Sequence, residues 1–194
     1  QLPAVQREPD TVLLLAGSRK YVARKLLPPM LKTAAWVARR KPECKFVVSL
    51  HDESLKPLVE KIVAKQVRGN SPLRDHVEIV VGRTREWLQR AGSGIAASGT
   101  VTVEAAIMGL PLVVIYKVNP ITYRLATLLV KIPYITMTNL VAGKIVYEEF
   151  VQKDLKPKPL GSALLAIQPG GHRHDEVVEG MKETVKALGG QTNI

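Results

Sequence analysis

Five short apolar runs, each closed by a turn and followed by a stretch with helical spacing, leave this chain few folds to adopt. The runs cover residues 12–15, 45–50, 77–81, 94–97 and 112–116. They are apolar almost throughout rather than alternating, which is the pattern of strands buried on both faces. Between them the spacing changes. Pro28-Pro29 opens a predicted helix over 28–39, because proline suits a first helical turn. Residues 55–67 carry Leu55, Leu58, Val59, Ile62 and Val63 on one helical face. Residues 84–90 form a short helix with Trp87 and Leu88 inward, and 100–108 a helix entered through Ser98-Gly99.

After the fifth run the reading continues with a helix over 120–130 and a last short strand over 134–137. A Lys/Pro-rich loop over 153–159 and closing helices over 162–167 and 175–188 complete it, the last two joined by a turn at Pro169-Gly170-Gly171. Strands alternating with helices indicate βαβ units. The fold class is therefore α/β, a Rossmann-like doubly wound parallel sheet. No repeat and no domain-scale linker interrupts residues 1–194, so a single domain is expected.

Composition narrows the function. With 46% hydrophobic residues in 194, the chain can bury a core and is not a disordered segment. Cys44 is the only cysteine, which excludes a disulfide scaffold. No apolar stretch approaches the ~20 residues of a bilayer-spanning helix. The chain begins at Gln1, with no Met and no signal-peptide pattern, and reads as a fragment of a cytosolic protein.

The net charge is +11, from 28 Lys and Arg against 17 Asp and Glu. Such a field favours an anionic partner: nucleic acid, an acidic membrane surface or a phosphorylated small molecule. Two Trp, five Tyr and two Phe lie scattered rather than interleaved with basic runs, and no zinc-finger or RNP spacing appears. Nucleic acid is therefore not the expected partner. A merely solvated basic surface is the plainer alternative.

In a doubly wound sheet, ligands sit beyond the carboxyl ends of the strands, where N–H groups of helix N-termini point outward. Four turns follow strands and so share that edge: 17–19, 82–85, 98–102 and 117–120. In Gly17-Ser18-Arg19, glycine permits the turn, serine brings a hydroxyl, and arginine brings a fork of donors suited to phosphate. The spacing is neither G-x-x-x-x-G-K nor G-x-G-x-x-G, and a solvated Arg19 is the alternative. Ser98-Gly99-Thr100 should present N–H groups as a diphosphate cradle, with Glu104 a turn later able to accept two ribose hydroxyls. The alternative is a helix cap with Glu104 favouring the helix dipole. Asn119 either meets a polar ligand or caps the helix beginning at Pro120.

Other candidates are weaker. His172-Arg173-His174-Asp175 resembles a metal cluster but reads more simply as a solvated turn. Cys44 reads as a small buried hydrophobe, and His51-Asp52 as a turn. Residues 121–130, with Arg124 and Lys131 nearby, could lie on an anionic membrane or pack on the sheet. No nucleophile–base set and no close carboxylate pair is evident.

The segment 97–106 (Ala-Ser-Gly-Thr-Val-Thr-Val-Glu-Ala-Ala) is followed by Gly109-Leu110-Pro111, Tyr116-Lys117-Val118-Asn119-Pro120 and Ile132-Pro133-Tyr134-Ile135. Asn139-Leu140-Val141-Ala142-Gly143 and Glu148-Glu149-Phe150-Val151-Gln152 complete the series. With 14–19 (Leu-Leu-Ala-Gly-Ser-Arg) and Leu26-Leu27-Pro28, it resembles the C-terminal half of the lipid-A-disaccharide synthase family over nearly the whole chain.

The resemblance implies the donor half of an inverting, metal-independent glycosyltransferase of the two-Rossmann-domain (GT-B) type. That family transfers diacylglucosamine from UDP-2,3-diacylglucosamine to lipid X. It implies no cofactor, the nucleotide sugar being a substrate. The acceptor site and general base would belong to an N-terminal domain absent from this chain, and the enzyme would be cytoplasmic and peripheral on the inner membrane of a Gram-negative bacterium. By position, Arg19 would offset leaving-group charge, and Gly17, Ser18, Ser98, Gly99 and Thr100 would meet the diphosphate. Glu104 would hold the ribose, Asn119 and Gln152 would lie near sugar or diphosphate, and Gly82 and Arg83 near the base. The pattern departs at Ala16 and Val22, where the family usually has Pro and Glu. A non-catalytic half of a split glycosyltransferase and a basic membrane-surface domain are the rival readings.

Overall fold

The structure, a computed structural model, describes residues 6–117 and 134–189. Its centre is a six-stranded sheet in the order β3-β2-β1-β4-β5-β6, every neighbouring pair parallel. The strands are β1 (Glu8–Leu15), β2 (Lys45–Leu50), β3 (Val77–Val81), β4 (Ala91–Ala97), β5 (Leu112–Tyr116) and β6 (Glu148–Val151). The strand order grows outward from β1 in one direction and from β4 in the other. Crossovers of one hand then place the helices of the two halves on opposite faces. On one side α1 (Lys20–Ala38) packs against α2 (Lys56–Gln66) and α6 (Pro157–Ile167). Elsewhere α4 (Val101–Ile107), α5 (Met137–Ala142) and α7 (His174–Ala187) pack together, and α3 (Thr84–Arg90) lies against β1 and β2.

The β1–β4 pair is the seam of the molecule, and its small residues explain its closeness. A Cβ on Gly92 would stand 2.4 Å from the Pro9 carbonyl oxygen, and one on Gly94 2.8 Å from that of Leu13. Neither contact is tolerable against backbone, so the strand needs both glycines. Beside the seam, Arg7 is fixed by its guanidinium, which donates to the carbonyls of Leu88 at 3.2 Å, Ala91 at 2.7 Å and Met108. Burial pushes its pKa down, yet three carbonyls answer the charge.

Three expectations need correction. The first helix starts at Lys20, not at residue 28, and holds Pro28 and Pro29 inside it. Ala23, Leu26, Leu27, Met30, Leu31 and Ala34 are buried at helical spacing, and that continuous apolar face outweighs the roughly 3 kcal/mol cost of an interior proline. Residues 134–137 do not form a strand. Thr136 instead caps α5, its hydroxyl accepting from the Asn139 N–H at 3.2 Å. The edge position belongs to β6, whose Glu148 and Glu149 hid it from an apolar pattern. Finally, the expected loop over 153–159 contains the start of α6 at Pro157. The helix expected over 120–130 falls outside the described residues.

Candidate functional site

The turns beyond β1, β3, β4 and β5 meet around one cleft of about 1040 Å³, seated where the strand order reverses between β1 and β4. Gly17, Ser18 and Arg19 form one wall, Ser98, Gly99, Thr100 and Glu104 the facing one. Gly82, Thr84 and Arg85 close one end, and Tyr116 and Lys117 also line the cleft.

The first wall is fixed by backbone geometry. Gly17 has φ +93°, open to glycine and strained for other residues, and a Cβ there would stand 2.8 Å from Val22 Cγ1. Val22 thus packs over the turn as an apolar wall of the cleft. Arg19 follows at the start of α1, exposed and without a side-chain partner among the described residues.

On the facing wall the donors sit one residue later than expected. The Ser98 N–H donates to the Ile115 carbonyl at 3.2 Å, and its hydroxyl to the Ile135 carbonyl at 3.2 Å. Ser98 therefore braces the turn rather than offering its amide. The backbone N–H groups of Gly99, Thr100 and Val101 carry no partner among the described residues. Thr102 ties the turn by donating its hydroxyl to the Gly99 carbonyl at 2.8 Å. Glu104 is exposed, lines the cleft and has no side-chain partner among the described residues. The cations lining the cleft among those residues are Arg19, Arg85 and Lys117, against the single carboxylate of Glu104. The surplus suits an anion.

Other predicted residues are placed differently. Arg83 lies outside the lining, its guanidinium held by Glu86 at 2.7 and 2.6 Å. The adjacent Gly82 does line the cleft, with φ +72°. Gln152, with φ +52°, begins the short turn Gln152–Asp154 after β6 and is not among the lining residues. Asn119 lies outside the described residues. His174 and Asp175, read as part of a solvated turn, open α7 with their side chains 3.0 Å apart.

Some contributors were not singled out for the site from the residues alone. Ser49, near the end of β2, shares a 2.8 Å hydrogen bond with Thr84, joining two lining residues. His51 and Tyr21 also line the cleft. Behind it, the Glu149 carboxylate accepts from the Ile135 N–H at 2.9 Å, the Thr136 N–H at 2.8 Å and Asn139 Nδ2 at 2.9 Å. Asn139, fully buried, accepts in turn from the Val146 and Tyr147 N–H groups at 2.9 Å each. This clamp holds the Ile135 carbonyl where Ser98 meets it. Both residues stood in the quoted motifs, but their role depends on pairing between segments distant in sequence.

The model of the Lipid-A-disaccharide synthetase family matches residues 3–193. The chain belongs to that family. A lipid-A-disaccharide synthase of Nitrosococcus oceani is 37% identical over 158 residues, covering 81% of this chain and 39% of the relative. One from Myxococcus xanthus is 30% identical over 188 residues, covering 95% and 46%. The chain thus spans less than half the length of the curated relatives it matches. Among solved structures, a Thermobaculum terrenum O-GlcNAc transferase mutant superposes with TM-score 0.58 at 12% identity, over 97% of this chain and 35% of that one. The pneumococcal O-GlcNAc transferase GtfA, solved with UDP and GlcNAc, gives 0.52 at 16%, over 96% and 33%. At these identities the likeness establishes the shared Rossmann-like fold. No helix among the described residues is long and apolar enough to cross a membrane.

Proposed function

We propose that this chain is the donor-binding half of a lipid-A-disaccharide synthase, a single domain holding the UDP part of UDP-2,3-diacylglucosamine while a separate N-terminal domain presents lipid X. The supporting observation is the cleft itself. Across the switch point of the sheet the cleft is lined by an arginine, three backbone N–H groups and, one helical turn beyond, a carboxylate, none of which has a partner among the described residues. A fold neighbour solved with UDP and GlcNAc supports the nucleotide-sugar class of ligand.

In this reading the acceptor hydroxyl displaces UDP from the anomeric carbon in one step, with inversion. Negative charge grows on the departing diphosphate. Arg19 and the amides of Gly99, Thr100 and Val101 face that charge and stabilise it, as fixed donors do in a site already organised for the transition state. Glu104 accepts from the ribose hydroxyls, and the Gly82 turn borders the base. In keeping with the family resemblance, the proton of the acceptor hydroxyl goes to a general base supplied by the separate N-terminal domain. No metal or cofactor is called for. The net charge of +11 would also hold the protein against an anionic inner-membrane surface, where the acylated substrates reside.

Calorimetric titration of UDP into the folded chain tests the reading. Saturable heat that is lost on substitution of Arg19 is expected. Absence of heat at millimolar UDP, with the fold intact by circular dichroism, would overturn it.

A further inference from the structure

A second concavity, of about 570 Å³, opens between the last turns of α1, the end of α2 with the loop that follows it, and the first residue of α6. Arg19, at the cleft, and Arg39, at this concavity, stand 20 residues apart on α1, roughly 30 Å along a helix axis. The two sites are separate.

Three exposed cations line this concavity. Lys32 and Arg39 lie seven residues apart on one stripe of α1, with Trp36 between them, and Arg68 reaches in from the loop after α2. None of the three has a side-chain partner among the described residues, and no Asp or Glu lines the site among them. Other cations show the alternative: Lys41 meets Asp10 at 2.6 Å, Arg83 meets Glu86 at 2.6 Å, and Arg173 meets Glu148 at 2.9 Å. Gathering three cations round one hollow without a counter-charge is a repulsive arrangement that an anion would relieve.

The wall between them is rigid. Gly161 of α6 sits against the Trp36 ring so closely that a Cβ would stand 2.3 Å from it, while the Arg40 guanidinium lies 3.5 Å over the ring centre. Gln66 and Asn70 add neutral donors to the lining. The volume falls within the ~300–1000 Å³ of small-ligand sites. Guanidinium forks match phosphate oxygens, and three cations suit a dianion better than a lone carboxylate.

We infer that the hollow walled by Lys32, Trp36, Arg39 and Arg68 is a second anion site that binds the phosphate group of a small phosphorylated ligand or of a lipid headgroup. It does not rest on the reading of the cleft.

The test is a titration of isotope-labelled chain with sodium pyrophosphate, followed by amide and indole nuclear magnetic resonance, with saturating UDP present. The Trp36 indole and the Arg68 and Asn70 amides are expected to shift together and saturate. The double variant Arg39→Gln/Arg68→Gln should weaken that response roughly tenfold or more, because two charge-assisted contacts are lost. A charge-matched control, Lys153→Gln/Lys186→Gln, should leave it in place. A second arm floats the chain with phosphatidylglycerol or phosphatidylcholine vesicles. Retention on the anionic vesicles alone, lost in the first double variant and kept in the control, would assign the phosphate to a lipid, and a response to pyrophosphate would assign it to a soluble ligand. No response in either arm, or a response that both double variants weaken alike, would overturn the site.

Discussion

The cleft and the outer side of α3 both carry arginines beside glutamates, yet the two regions use them oppositely. At the cleft, Arg19 and Glu104 have no side-chain partners among the described residues. Beside α3, Arg90 bridges Glu8 at 2.6 Å and Glu86 at 2.8 Å, and Arg83 takes the rest of Glu86. Glu149 behind the cleft resembles the α3 group, its oxygens filled by N–H donors. What separates the regions is whether the fold has already satisfied a charge. Satisfied charges should report on stability, and unsatisfied ones on binding.

The largest break in that contrast is expected at Glu149. Glu149→Ala would leave two backbone N–H groups and the buried Asn139 amide short of an acceptor, costing about 3 kcal/mol. Thermal unfolding should show a melting temperature lower by roughly 5–10 °C. Because the clamp fixes the Ile135 carbonyl that Ser98 grips, UDP affinity should fall as well. Unchanged melting would show that the clamp is not structural.

Arg19→Ala should do the reverse. Among the described residues nothing partners its guanidinium, so the melting temperature should hold, while UDP affinity falls roughly tenfold or more, about 2 kcal/mol of lost charge-assisted contact. A stability loss without an affinity loss would place Arg19 with the structural charges.

Arg90→Ala completes the pair with a smaller effect. The ion pairs are partly exposed, the arginine side chain at 32%, and such pairs contribute little individually. The stacking of Arg90 over the Trp87 ring at 4.3 Å adds a modest term. A loss of about 1 kcal/mol, with UDP affinity unchanged, is the expected result in chemical denaturation.

The same contrast separates what could be read from sequence. The strands at 45–50 and 112–116 coincide with the observed ones because strands buried on both faces need apolar side chains nearly throughout. The strand at 77–81 coincides as well, although it is an edge strand with Glu78 exposed and only Val80 buried. The turns on the cleft followed from strand order alone, since parallel strands end on one edge. Arg83 shows the limit. Its position beside Gly82 was legible, but Glu86, one helical turn on, takes its charge. The start of α1 was obscured because a local proline rule competes with a buried face visible only once the sheet is present. The Glu149 clamp and strand β6 depend on segments meeting in space, and no local pattern carries that.

The finest test of the contrast is titration with acid. Hydrogen bonds from Arg83 and then Arg90 hold the Glu86 carboxyl down at about 2, against an ordinary 4.5. At Glu8, burial alone would push the pKa up, but the hydrogen bonds from Arg90 and Thr11 outweigh it and the pKa falls. A carboxylate whose pKa is depressed on folding contributes stability that is present above its unfolded pKa and lost as the pH falls through the folded one. Stability should therefore decline between about pH 4.5 and 2, where unfolded chains take up protons that the α3 network still refuses. Glu86→Gln should flatten that decline slightly, and added salt should shrink the difference, since the network lies at the surface. Glu104→Gln should instead weaken UDP binding while the melting temperature holds, because no side chain among the described residues partners its carboxylate. If Glu104→Gln lowers the melting temperature and leaves UDP affinity unchanged, the division between charges satisfied by the fold and charges left for a ligand fails.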